Sequence, residues 1–261
     1  VAEGGFFCIS AAGRDTVQAP DWRVQKSMTA VAAAARLQAI QQLRGQLRAA
    51  AAPVMARGVF PTGLASLDAL LPGGGIAAGS VVEWLSRGPG QSATSLALRS
   101  SAGLLSQPGC LAVIDEARGF FPAMAPLHGI PLSRILLVQP PPDTRSGSGQ
   151  ALWALEQTAR SRGVKVVLAW MNRCTSAVVR RLQLAVEHSG ATVMLIRPAA
   201  ALQQPSFADL RLLVEPSVAA RQRLLNIRLM RSRQGLLCEG CAQLYQEPSE
   251  RFVSVAGDVA S

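Results

Sequence analysis

Between Ser80 and Ile196 short apolar runs alternate with longer helical stretches. The runs are Ser80–Leu85, Leu111–Asp115, Arg134–Val138, Val164–Trp170 and Thr192–Ile196. Each is too short for a stable helix, and each is rich in Val, Leu or Ile. Helical patterns fill the gaps over Thr94–Ser106, near Pro122–His128, and over Gln150–Arg162 and Ser176–Ser189. Strands that are apolar throughout, rather than alternating, belong in sheets covered on both faces. The pattern therefore predicts an α/β domain with a mostly parallel sheet, helices on both faces and right-handed crossovers. A chain of 261 residues is long enough for one such core with appendages.

The stretch from Pro61 to Leu98 organises the rest. Leu64, Leu67 and Leu71 recur at helical spacing, and Gly73-Gly74-Gly75 ends that helix. The strand Ser80–Leu85 then runs into Gly88-Pro89-Gly90 and the next helix. A strand, a glycine loop and a helix in that order let backbone N–H groups surround a phosphate. The phosphate loop proper reads G-x-x-x-x-G-K-[ST]. Counting back from Thr94-Ser95, Ala93 takes the lysine position and Ser92 that of the preceding glycine. A hydrogen bond to a charged group is worth roughly 1.5–3 kcal/mol, so loss of the lysine predicts nucleotide affinity lowered about ten- to a hundred-fold. Gly88, Gly90, Thr94 and Ser95 form either a degenerate nucleotide site or an ordinary tight turn. ATP is not expected as a cofactor.

Other chemistry is sparse. A magnesium-organising aspartate is expected where a strand such as Val166–Trp170 ends, but Ala169-Trp170 stands there. Asp115 reads as a solvated or capping carboxylate at a strand end. Two histidines, His128 and His188, lack metal-ligand spacing and any nucleophile arrangement. The five cysteines (Cys8, Cys110, Cys174, Cys238, Cys241) do not form a four-ligand zinc pattern, and Cys238-Glu239-Gly240-Cys241 reads as incidental to a hairpin. No catalytic residue and no metal site is expected.

Several motifs in order resemble a known family. Thr62-Gly63-Leu64, Leu67-Asp68, Gly73-Gly74-Gly75, Gly79-Ser80 and Val82-Glu83 are similar to the signature leading into the core of RecA-type recombinases. So are Val113-Ile114-Asp115, Leu132-Ser133-Arg134, Asp143-Thr144 and Gln150-Ala151-Leu152 to motifs of that core. In those enzymes a glutamate two residues past the aspartate activates water. Here Glu116 is adjacent to Asp115, and Ala117 holds the expected place. With the catalytic motifs eroded, the chain more closely resembles the ImuA family, RecA-like accessory proteins of the bacterial mutasome. Arg181-Leu182-Gln183-Leu184-Ala185, Gly190 and Ile196-Arg197-Pro198 are similar to that family's second half. The resemblance implies a RecA-like fold and a non-catalytic role in error-prone translesion synthesis during the DNA-damage response. It implies as partners RecA, an ImuB-type protein related to Y-family polymerases, and an error-prone replicative-type polymerase. SulA-like division inhibitors, which bind FtsZ, are a related alternative, as is a DNA-stimulated ATPase with an unusual loop.

The flanks divide the chain further. Residues 1–22 read as a loose lead-in and 23–57 as a helical arm, with Leu37, Ile40, Leu43 and Leu47 along one side. Packing on the chain's own core and docking on a partner are both open to that stripe; the resemblance implies docking. Residues 58–245 form the expected core and 246–261 a polar tail. Late in the core, Arg211–Glu215 reads as a strand and Arg223–Arg231 alternates. A hairpin turn is expected at Ser232-Arg233-Gln234-Gly235, returning through Leu236-Leu237-Cys238.

The net charge of +10 is almost all arginine, since only Lys26 and Lys165 are lysines. Such a balance suits DNA or another polyanion. Arg173, Arg180 and Arg181 follow the Trp170 strand; Arg221, Arg223, Arg228, Arg231 and Arg233 flank the late hairpin. Both clusters are candidates for DNA or partner contact, and charge protection of an edge strand accounts equally for the second. Glycine, proline or arginine interrupts every apolar stretch, so no membrane span is expected. No export signal precedes the core either, which predicts a cytoplasmic protein.

Overall fold

In a computed structural model the described residues are 58–88, 90, 92–141, 149–219, 222–233, 241–246 and 252–254, with Gln38. The expected arm residues Leu37, Ile40, Leu43 and Leu47 lie outside them, as do residues 1–22.

The strands are β1 Val59–Phe60, β2 Ile76–Ala77, β3 Val81–Ser86, β4 Cys110–Ile114, β5 Ile135–Val138, β6 Val164–Trp170 and β7 Thr192–Pro198. After them come β8 Leu210–Ala219, β9 Gln222–Ser232, β10 Cys241–Gln246 and β11 Phe252–Ser254. The helices are α1 Ala65–Leu70, α2 Ala93–Leu104, α3 Gly149–Arg160 and α4 Ser176–Ser189. Nine strands form one sheet in the order β11-β10-β9-β8-β3-β7-β6-β4-β5. From β5 to β8 the neighbours are parallel, and from β8 to β11 antiparallel. The sheet is thus mostly parallel, as the alternation predicts.

Helices cover both faces. On one face Val82, Trp84, Leu111, Val113, Val166, Leu168 and Met194 pack with Leu67 and Leu70 of α1 and Leu96 of α2. On the other, Val81, Ala112, Val167, Val193 and Leu195 pack with Leu155 of α3 and with Val179, Leu182 and Val186 of α4. Pleating sends successive side chains to opposite faces, which is why these runs are apolar throughout.

Several elements differ from expectation. Residues Pro122–His128 form a 3-10 helix with Pro126 inside it, because proline supplies no N–H for a regular α-helical ladder. A small antiparallel pair joins β1 to β2, and two-residue strands carry no readable period. Phe252–Ser254, inside the expected polar tail, is an edge strand paired to β10. The strand expected at Arg211–Glu215 runs from Leu210 to Ala219. The return strand of the late hairpin is β10, and the expected turn beyond Arg233 lies outside the described residues.

Thr62 and Asp68 explain part of the first motif. The Thr62 N–H and hydroxyl both donate to Asp68 Oδ1, at 2.8 and 2.7 Å, fixing the approach to α1.

Candidate functional site

Glu83, on β3, is fully buried. Arg211, its direct partner across the parallel β3–β8 pair, donates from Nε to Glu83 Oε2 at 2.6 Å. From β7 on the other side, Arg197 donates to Oε1 at 2.6 Å, and the Ser206 hydroxyl adds a bond at 2.9 Å. Arg197 also donates to the Cys174 carbonyl and Gln204 Oε1; Arg211 donates to the Ala201 and Gln204 carbonyls. Burial pushes the nearby Cys174 thiol up to about 11, which leaves it unreactive near neutral pH. The Arg197–Glu83–Arg211 triad was not anticipated from sequence. Its signal is present, however: one carboxylate and two guanidiniums interrupt otherwise apolar strands.

The loop after β3 keeps a phosphate-loop outline without its chemistry. Gly90 has φ +71°, and Ser92 sits at φ 63°, left-handed geometry that an L residue adopts at a cost of roughly 1–2 kcal/mol. Ser92 stands where the motif has glycine, so the backbone retains the glycine conformation after losing the residue. The Ser86 hydroxyl donates to the Gly88 carbonyl at 3.2 Å, bracing the loop's start. Ala93, in the lysine position, is the first residue of α2 and is buried. Ser95 is buried as well, while Thr94 is half-buried.

The Thr94 hydroxyl accepts a hydrogen bond from Trp170 Nε1 at 3.2 Å. Thr94 holds the place where a phosphate loop offers a hydroxyl to magnesium, and Trp170 ends the strand where an aspartate would organise it. A neutral, bulky donor therefore meets a hydroxyl where a working site has an acidic acceptor and a cation. Phe120 backs the indole, with ring centroids 6.1 Å apart.

Asp115 is buried and accepts from the Gly119 and Phe120 N–H groups at 2.9 and 3.1 Å and from Gln139 Nε2 at 3.3 Å. Of the two roles read from sequence, it is the capping carboxylate. His128 is buried and stacks on Phe252 at 6.0 Å. Among the described residues there is no group of three His, Cys, Asp or Glu that could hold a metal ion.

Of the candidate arginines, Arg180, Arg231 and Arg233 all reach the 206–209 segment, whereas Arg181 and Arg228 pair elsewhere. Arg180, on α4, donates to Gln183 Oε1 and lies over the Phe207 ring at 5.6 Å. Arg181 pairs with Glu156 of α3 at 2.8 Å, and Arg173 is exposed before α4. On β9, Arg228 pairs with Glu215 at 2.6 Å, and Arg231 donates to the Ser206 carbonyl. Arg233 reaches Glu187 at 3.0 Å and Asp209 at 3.4 Å. Arg223 lies in β9 opposite Val218 and Gln246. Arg228 and Arg231 of β9, and Arg233 just past it, thus each join another part of the chain. Among the described residues, no helix is long and apolar enough to cross a membrane.

No family model matches the chain. Over 108 residues it is 34% identical to the protein named "Protein RecA" from Rhodopirellula baltica (strain DSM 10527 / NCIMB 13988 / SH1). That stretch is 41% of this chain and only 27% of the relative's length. The similarity, with the mostly parallel sheet, supports a RecA-like superfamily for this chain.

Proposed function

We propose that this chain is a non-catalytic, RecA-like accessory factor of error-prone translesion DNA synthesis, acting in the SOS response to DNA damage in the cytoplasm. It works by docking. The arm around Leu37, Ile40, Leu43 and Leu47 and the arginines of β9 present surfaces to RecA and to an ImuB-type partner, which together place an error-prone replicative-type polymerase on damaged template. The pathway and these partners rest on the motif resemblance to ImuA. One structural observation carries the non-catalytic part: the Trp170 indole on the Thr94 hydroxyl, beside a buried Ala93. That arrangement supports a scaffold that has lost nucleotide handling and kept its shape.

Four measurements test the reading. Titration with labelled ATP, and a hydrolysis assay with single-stranded DNA, should give no saturable binding and no turnover. Turnover abolished by Thr94→Ala would establish an ATPase instead. Full-length chain should capture RecA and an ImuB-type protein, and Leu37→Asp with Leu43→Asp should abolish that capture. Inhibition of FtsZ assembly near equal stoichiometry would sink the mutasome assignment in favour of a SulA-like role.

A further inference from the structure

Arg160, Arg162, Arg181 and His188 line a cleft of about 480 Å³, with Leu184 on its wall. The cleft lies where α3 and α4 end, just before β6 and β7 begin. It is therefore at the amino ends of the parallel strands, whereas the Ser86–Ala93 loop follows the carboxyl end of β3. The two sites sit at opposite ends of the sheet.

The arginines here differ from most others in the protein. Of the arginines whose side chains are described, all but Arg160, Arg162 and Arg173 pair with an oxygen of this chain. Two of those three line this cleft. Arg181 is tied to Glu156 across the α3–α4 seam with its side chain 54% exposed, so the ion pair fixes its position and leaves it reachable. Three guanidiniums against the one Glu156 carboxylate leave a formal charge of +2, before any charge on His188.

Helix dipoles do not account for the set. Cations favour the last helical turn, which covers Arg160 and His188. Arg162 lies past the end of α3, and Arg181 belongs to the first half of α4. Trp153 adds a second signal: it is 66% exposed and seven residues before Arg160 on α3. Seven residues return to the same helix face about 10 Å away.

We propose that this cleft binds the backbone of single-stranded nucleic acid. The free guanidiniums of Arg160 and Arg162 take phosphodiester oxygens, for which a planar fork of donors is well suited. Leu184 offers apolar contact to a sugar, and Trp153 a face on which a base stacks. Neither a nucleotide cofactor nor a partner protein is required, so the assignment is independent of the docking role.

The test is fluorescence anisotropy of a short fluorescein-labelled oligothymidylate with the full chain, between about 50 and 200 mM salt. The double variant Arg160→Gln/Arg162→Gln should weaken binding at least tenfold. It should also reduce the slope of log affinity against log salt by about 1.4, at about 0.7 for each phosphate no longer neutralised. Trp153→Ala should weaken binding at least about fivefold. Arg160→Lys/Arg162→Lys, which keeps the charge, should retain most of the salt slope and guards against a folding artefact in the glutamine variant. The assignment is overturned if the wild-type chain does not bind, or if the glutamine variant binds within twofold with an unchanged slope. It is overturned too if an acidic peptide of equal charge competes as well as unlabelled oligothymidylate, which would make the cleft a protein-docking site.

Discussion

Trp170 donates its indole N–H to Thr94 Oγ1 at 3.2 Å, joining the end of β6 to the start of α2. Restoring one missing residue should therefore not restore the nucleotide site. Ala93→Lys places an ammonium at a buried position while Trp170 still occupies the Thr94 hydroxyl. The expected outcome is no saturable ATP binding by calorimetry, with stability lowered by about 1–3 kcal/mol from overpacking.

Gly103 lies near the end of α2, where helix propensity alone favours alanine by about 1 kcal/mol. A Cβ there would come within 2.1 Å of the Pro61 carbonyl oxygen, and one at Gly75 within 2.3 Å of the Phe60 carbonyl oxygen. The Phe60–Pro61 backbone is thus held between two glycines. Gly103→Ala should destabilise by about 1–3 kcal/mol in urea unfolding, the opposite sign to propensity, because the obstacle is backbone. A gain in stability would mean that α2 and the Pro61 segment do not approach so closely.

Glu83→Gln leaves the Arg197 and Arg211 guanidiniums buried without a counter-charge. Breaking one member of such a group costs about 3–5 kcal/mol. Denaturant unfolding should show that loss. Replacing all three by apolar residues of similar volume should cost much less, since the desolvation penalty disappears with the charges.

Glu215 accepts from Arg87 at 2.9 Å and from Arg228 at 2.6 Å. The Arg87 hydrogen bond, with help from Arg228, holds its carboxyl below the ordinary value of 4.5, against an opposing push from burial. A group depressed in the folded state stabilises above its unfolded pKa and loses that stabilisation as pH falls through the folded value. Wild-type and Glu215→Gln proteins should therefore differ in stability near neutral pH and converge in acid. Thermal melts across the acid range check this, and added salt should shrink the difference because both arginines are largely exposed.

The parallel half of the sheet was legible because its strands are buried on both faces and its helices are periodic. Val164–Trp170 and Ser176–Ser189 have the bounds read from the residues alone. β1, β2 and β11 were missed because two or three residues leave no period to detect. From sequence Arg134 is part of a motif and the first residue of a strand; in the structure it ends a 3-10 turn before β5, donates to the Leu105, Gln107 and Gly109 carbonyls and closes the turn between α2 and β4. The loop's lost lysine could be counted from spacing. The Trp170–Thr94 bond could not, because it joins residues 76 apart in sequence. The cleft at Arg160 and Arg162 depends on two helix ends meeting, and no linear pattern records that.

The Arg197–Glu83–Arg211 contacts also bear on how the two kinds of pairing are joined. β8 is the common member of the parallel array and the antiparallel meander, and its alignment on β3 sets where the whole meander sits. Sliding it by one position would turn Arg211 to the opposite face and strand a carboxylate in oil. Simple greasy contact between the two halves would tolerate several offsets; this ionic knot admits one.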